Sequence, residues 1–210
     1  MRLADMLVTM RKTTLISIAV AALALSACGK KNAPASAGSD DSLYGSKVKE
    51  KEMTAEGLIR QSIDLDADKR PEIFNFYRER ADAPRLLVKK EIDLNRDGKV
   101  DVISYFDDDG VLEKEEMDGD YDGVFDWTDH YQDGWRVMSE YDTDFDGIAN
   151  VWKYYTRAEE GQGQPQLDRK ERDTDGDGKV DVWERFNEKG EVTRTGRDTD
   201  GDGKMDVREE

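Results

Sequence analysis

Three runs of the chain, Asp101–Phe106, Asn150–Tyr155 and Asp181–Phe186, set apolar residues around one or two polar ones and are rich in β-branched and aromatic residues. Such patterning predicts strands on a pleated, half-buried surface. Four further runs, Val111–Met117, Trp135–Tyr141, Gln166–Arg172 and Glu191–Arg197, read as strands returning beside them. Glycine-bearing connections separate each outgoing run from its return: Asp107-Asp108-Asp109-Gly110, Gln132-Asp133-Gly134, Asn187-Glu188-Lys189-Gly190 and a longer Glu159-Glu160-Gly161-Gln162-Gly163 insert. Short Gly-containing links between apolar runs are hairpin signals. Each unit therefore reads as strand, turn, strand, and a second kind of connection joins one unit to the next.

That second connection is acidic. Copies of D-x-D-x-D-G-x-x-D, some imperfect, begin at Asp64, Asp93, Asp118, Asp142, Asp173 and Asp198, spaced 29, 25, 24, 31 and 25 residues apart. Positions 1, 3, 5 and 9 are Asp93, Asn95, Asp97, Asp101; Asp118, Asp120, Asp122, Asp126; Asp142, Asp144, Asp146, Asn150; Asp173, Asp175, Asp177, Asp181; and Asp198, Asp200, Asp202, Asp206. Oxygens at alternate positions around a tight turn suit a hard cation such as Ca²⁺, which takes six to eight oxygen ligands. Position 6 is Gly98, Gly123, Gly147, Gly178 or Gly203, where a positive φ lets the backbone fold around an ion. Position 7 (Lys99, Val124, Ile148, Lys179, Lys204) varies freely, as a main-chain carbonyl ligand permits. The first copy departs, since Asp64, Asp66 and Asp68 precede Lys69, Pro71 and Glu72, and it is expected to be the weakest site or none. About five calcium ions are expected in all.

These loops resemble the EF-hand loop, and the last two copies carry Glu184 and Glu209 at position 12. That residue is the bidentate ligand of the EF-hand, so the resemblance implies that these two loops bind most tightly. The resemblance ends at the loop. A 12-residue loop in a 25-residue period leaves about 13 residues, too few for two helices of ~11–12 residues. The sites are instead similar to the helix-free calcium loops of integrin-type propellers and thrombospondin type 3 repeats. An all-β fold follows: a repeat array of antiparallel β-hairpins joined by calcium-binding loops, spanning residues 51–210. Loop positions 8, 10 and 14, such as Val100, Val102, Phe106 and Val180, Val182, Phe186, share one strand face and are expected to be core.

The N-terminal residues give an address. Arg11 and Lys12 precede an apolar stretch from Leu15 to Leu25, then Leu25-Ser26-Ala27-Cys28. A basic start, a short apolar stretch and small residues before a cut describe a secretory signal peptide, here residues 1–27. Leu-Ser-Ala-Cys resembles the lipobox of bacterial lipoproteins, which implies acylation of Cys28. Cys28 is the only cysteine, so no intrachain disulfide forms. Residues 28–50 read as a lipidated cysteine and a disordered tether. Gly29 follows the cysteine where inner-membrane retention would favour Asp, so in a Gram-negative cell the resemblance implies the outer membrane.

Charge narrows the function. The chain carries 32 basic and 49 acidic side chains, net −17. Removing residues 1–27 takes Arg2, Arg11, Lys12 and Asp5, leaving 29 basic and 48 acidic groups, net −19. Clustered carboxylates repel one another and disfavour the compact metal-free state, so ion binding is expected to supply folding energy. No basic patch offers phosphate contacts, which argues against nucleic acid. A single histidine, His130, and no phosphate-binding glycine loop argue against an enzyme. Two readings remain: a structural or interaction module meeting an envelope partner, or an adhesin whose aromatics, such as Trp152 and Trp183, stack on glycans. They differ in whether the aromatics at loop positions 11 and 13 form a continuous outward platform.

Overall fold

A computed structural model of the chain describes residues 47–157 and 164–209. The expected signal peptide, Cys28, the expected tether up to residue 46 and the Glu159–Gly163 insert lie outside the described residues. The described residues fall within one compact unit. They form thirteen strands: β1 (Lys47–Met53), β2 (Ile59–Asp64), β3 (Ile73–Arg78), β4 (Leu86–Ile92), β5 (Val102–Phe106), β6 (Leu112–Met117) and β7 (Trp127–Gln132). The remainder are β8 (Trp135–Tyr141), β9 (Val151–Thr156), β10 (Gln166–Arg172), β11 (Val182–Phe186), β12 (Val192–Arg197) and β13 (Val207–Glu209). All belong to one antiparallel sheet whose spatial order is the sequence order. Among the described residues each strand touches only its sequence neighbours, so the sheet is a single open layer and β1 and β13 are its edges.

An up-and-down meander sends alternate connections to opposite ends. All six acidic loops therefore line one end of the sheet, and the plain turns line the other. The two ends also differ in register. Pairing shifts by one residue in every pair closed by a plain turn, β1–β2, β3–β4, β5–β6, β7–β8, β9–β10 and β11–β12. No pair joined by an acidic loop carries such a shift. The extra residue of each shift leaves the ladder in phase where it enters the acidic loops.

With no second layer to cover it, the sheet buries its apolar groups in rows. Ile63, Ile73, Ile92, Val102, Met117, Trp127, Tyr141 and Val151 stand opposite one another across successive strands, directly beneath the acidic loops. This row includes the position-10 residues expected to be core, of which Val102 and Val182 are buried. The next row on the same face is polar, and Ser104, Asp129 and Ser139 in it are buried too. Short side chains sink beneath long neighbours here, so burial does not track hydrophobicity. The aromatic rings are covered in another way: eight of them have a Lys or Arg 3.9–5.0 Å from the centroid. Roughly two would be ordinary at one per 70–80 residues. In three of these pairs, Phe76–Lys89, Tyr105–Lys114 and Tyr154–Arg169, cation and ring are direct cross-strand partners.

Candidate metal loops

Each acidic loop folds around its own carboxylates. The position-1 aspartate (Asp64, Asp93, Asp118, Asp142, Asp173, Asp198) accepts backbone N–H groups from positions 4 and 6 on its two oxygens, at 2.6–2.9 Å in all six loops. The position-9 side chain (Glu72, Asp101, Asp126, Asn150, Asp181, Asp206) accepts the N–H of position 2 at 2.6–3.0 Å. The position-5 carboxylate (Asp68, Asp97, Asp122, Asp146, Asp177, Asp202) accepts the N–H of position 7 at 2.7–2.9 Å. Side chains thus do for the loop what ladder partners do for a strand, satisfying N–H groups that the tight turn would otherwise orphan.

Positive φ recurs at position 6, as the glycines there require, and also at position 4. Position 4 is Ala67, Arg96, Tyr121 and Phe145 at φ 62–69°, and Gly176 and Gly201 in the last two loops. The first loop follows the same path with Lys69 at φ 79° in place of glycine. Its Asp64, Asp66, Asp68 and Glu72 offer ligand oxygens within 4.8 Å of one another, the fullest carboxylate cluster of the row. Departing from the motif therefore does not change this loop's architecture.

Four more clusters meet the same distance limit: Asp118, Asp120, Asp122; Asp142, Asp144, Asp146; Asp173, Asp175, Asp181; and Asp198, Asp200, Asp206. These five clusters could hold metal ions. Asp126, Asp177 and Asp202 remain in their loops but outside those groups. The Asp93 loop has an amide at Asn95 and forms no such all-carboxylate group, yet it carries another mark of a site. Asp101 is 1% exposed, and its Oδ1 has no hydrogen-bond partner while Oδ2 accepts the N–H groups of Leu94 and Asn95. A buried anionic oxygen without a partner is costly, and a cation would satisfy it. Every side-chain donor in the six loops is a hard oxygen, which matches Ca²⁺, Mg²⁺ or Mn²⁺ better than softer metals.

Glu184 and Glu209 do not join the loops. Three residues past position 9 along an extended strand is about 10 Å, so a position-12 side chain lies on the sheet. Glu184 instead pairs with Arg172 at 3.5 Å and Lys170 at 4.0 Å, and Glu209 faces Thr195 across the edge pair.

The loops are joined to one another. In each successive pair the position-1 N–H bonds the position-9 carbonyl of the preceding loop: Asp93 to Glu72, Asp118 to Asp101, Asp142 to Asp126, Asp173 to Asn150 and Asp198 to Asp181, at 2.8–3.0 Å. Cations bridge some of the gaps. Arg96 reaches Asp66 at 2.7 Å, the Lys99 ammonium donates to the Asp122 carbonyl at 3.0 Å, and Lys179 to the Gly201 carbonyl at 2.6 Å. Loop position 7 varies in residue type, but two of its lysines link neighbouring loops.

Electrostatics follow the hydrogen bonds. At Asp142 burial acts to raise the pKa, but N–H groups from Gly147 and Phe145 outweigh it and hold the carboxyl below its ordinary value. The Thr199 N–H and hydroxyl lower Asp206, and the Thr174 hydroxyl and N–H lower Asp181. Asp126 goes the other way, because burial prevails over the N–H groups of Gly119 and Asp120.

A second polar constellation lies within the sheet, where sequence patterning gave no signal. Asp129 on β7 accepts Trp127 Nε1 at 2.9 Å, Arg136 Nη1 at 3.2 Å, the Tyr131 hydroxyl at 3.4 Å and the Ser139 hydroxyl. Ser139 is fully buried, and its Oγ also lies 3.3 Å from the Tyr155 hydroxyl. Burial, reinforced by Asp129, pushes the Tyr131 phenol upward. The group is a closed, satisfied network around one carboxylate. His130, the only histidine, stands on β7 with Nε2 3.4 Å from Glu140 Oε2.

Compared with known proteins, the chain matches no family model and no curated protein. Among the described residues no helix is long and apolar enough to cross a membrane.

Proposed function

We propose that the chain is a calcium-binding, lipid-anchored protein of the cell envelope that serves as a structural and interaction module, without catalysis of its own. One observation carries the calcium reading: six loops with one hydrogen-bond scaffold, side by side on one end of one sheet, offering only oxygen donors. Calcium suits them because it accepts six to eight oxygens in flexible geometry, whereas magnesium demands a near-ideal octahedron. Side chains at positions 1, 3, 5 and 9 and the position-7 carbonyl would hold the ion, which would supply charge neutralisation and fix the turn. Affinities in the extracellular-module range, roughly 10⁻⁴–10⁻³ M, follow for loops without a bidentate position-12 ligand.

The module reading is favoured over the adhesin by the sheet faces. Position-11 aromatics Trp152 and Trp183 alternate with Glu140 and Glu171 across the strands. Cations cover the position-13 rings of Phe76, Tyr105 and Tyr154. Among the described residues no continuous open platform for a sugar results. The lipid anchor, the outer-membrane address in a Gram-negative cell and an envelope partner rest on Leu25–Cys28 and the residues that follow it.

Calorimetric titration of residues 29–210 with CaCl₂, with circular dichroism before and after a chelator, tests the first part. Uptake of about five or six ions with a gain in thermal stability is expected; unchanged stability on chelation would sink the coupling of metal to fold. Cell fractionation of Cys28→Ser tests the second, with release from the membrane pool expected.

A further inference from the structure

The two middle loops differ from their sisters at the tips. At positions 4 and 7 the Asp173 and Asp198 loops carry Gly with Lys, and the Asp93 loop carries Arg with Lys. The Asp118 and Asp142 loops carry Tyr121, Val124, Phe145 and Ile148, which are 38%, 47%, 55% and 66% exposed. These loops join β6 to β7 and β8 to β9, so they are neighbours, about 10 Å apart at two strand spacings. Four large apolar side chains thus stand together in water on the metal edge. The backbone does not ask for them. Tyr121 and Phe145 sit at φ 69° and 62°, a conformation that bulky residues rarely adopt and that Gly176 and Gly201 fill in the sister loops.

We propose that this edge docks on a phospholipid membrane: Tyr121, Val124, Phe145 and Ile148 enter the headgroup boundary while ions in the two loops bridge carboxylates to lipid phosphates. The proposal rests on the reading of the loops as calcium sites and, for the choice of a membrane, on the reading of Cys28 as lipidated. An apolar patch rimmed by polar groups marks an interaction surface, and aromatic rings with a polar tip suit the lipid–water boundary. The direction of the chain selects a membrane over other partners. Lys47, at the start of β1, pairs with Asp64, the first residue of the first acidic loop. The chain therefore enters the sheet at the metal edge. Cys28 lies 19 residues upstream, a length that spans at most about 65 Å when extended. A bilayer holding acyl chains on Cys28 is within reach of this edge. Lys69 and Arg70, lining a cleft between the first two loops, add exposed cations to the same edge. Seven carboxylates in the two middle loops repel an anionic surface, and one Ca²⁺ in each loop would cut that charge from −7 to −3, so docking is expected to depend on the ion.

Residues 29–210 contain the whole described unit and no acyl chain, which suits them to the test. The fragment is sedimented with vesicles of phosphatidylcholine and phosphatidylserine in equal parts, in CaCl₂ or in chelator, with calcium calorimetry in parallel. Pelleting in calcium alone is expected. The double variant Tyr121→Gly, Phe145→Gly adopts the residues of the sister loops and should keep the fold and its calcium titration. Its vesicle affinity should fall by about tenfold or more. Calcium uptake without pelleting, or equal pelleting of the variant, overturns the docking proposal and leaves the metal reading standing. Absence of calcium uptake overturns both. Calcium-driven self-association without vesicles that the variant abolishes assigns the patch to a second copy of this chain and overturns membrane docking.

Discussion

Position 6 of the first loop shows how much one residue decides. Lys69 holds φ 79°, where the other five loops have glycine, yet Asp64 still accepts its N–H at 2.8 Å. The hydrogen-bond scaffold therefore overrides the local preference, at the cost of left-handed strain that an L side chain feels and glycine does not. Lys69→Gly should stabilise the protein by about 1 kcal/mol in chemical denaturation with chelator present. Gly98→Ala should destabilise it by a similar amount. Nothing lies within 4 Å of a Cβ added at Gly98, so that loss would report backbone strain with no clash mixed in. Two null effects would mean that the loops relax freely and that the carboxylate scaffold does not impose the turn. Glutamates at position 12 carry the opposite lesson. They match the EF-hand pattern in sequence, but a strand cannot swing them back to the loop as an exiting helix does.

At the scale of elements, much was legible because the signals are local. Residue type and turn chemistry place β8 and β10 at their observed limits and β5, β6, β9, β11 and β12 within one residue. Strand β1 was not legible: its Lys47-Val48-Lys49-Glu50-Lys51-Glu52-Met53 has the composition of a tether, and only pairing with β2 makes it a strand. Register shifts beside every plain turn were likewise hidden, since they are properties of a pair of strands and not of either sequence. The polar hub was hidden for a third reason. An apolar core is expected at loop positions 8, 10 and 14, and position 12 between them carries Ser104 and Asp129, buried because a single layer buries whatever is short. Asp129→Ala should expose that arrangement. It leaves Trp127 Nε1, Arg136 and the Tyr131 and Ser139 hydroxyls without their shared acceptor, four donors on β7 and β8. Removing one member of a buried charged network costs about 3–5 kcal/mol. The loss should appear in denaturant melts and as faster amide exchange across β7 and β8. A change under about 1 kcal/mol would mean that water replaces the carboxylate and that the hub is not structural.

For the whole molecule, contacts confined to sequence neighbours make the sheet nearly one-dimensional, so stability is a sum over units and their interfaces. Such an array should tolerate loss of one unit if the new neighbours match. Residues 93–117, one acidic loop with β5 and β6, form a 25-residue unit whose removal joins Ile92 to Asp118. Strand β4 would then take the place of β6 beside β7. Their last residues correspond closely: Ile92 replaces Met117 in the apolar row, Glu91 replaces Glu116, and Lys89 replaces Lys114. The cation–glutamate pairs of the exposed face, Lys89–Glu91 at 2.8 Å and Lys114–Glu116 at 2.9 Å, are thus equivalent. The cost includes the Arg96–Asp66 and Lys99–Asp122 links between loops, which are rim contacts worth little individually. The shortened chain should therefore keep its β-sheet circular dichroism per residue and unfold cooperatively. Its calcium stoichiometry should fall by one site. A barrel or a two-layer core could not survive such an excision, because closure or face-to-face packing would be lost. An aggregated or unfolded product would mean that distant strands depend on one another, and the nearest-neighbour account of this sheet would fail.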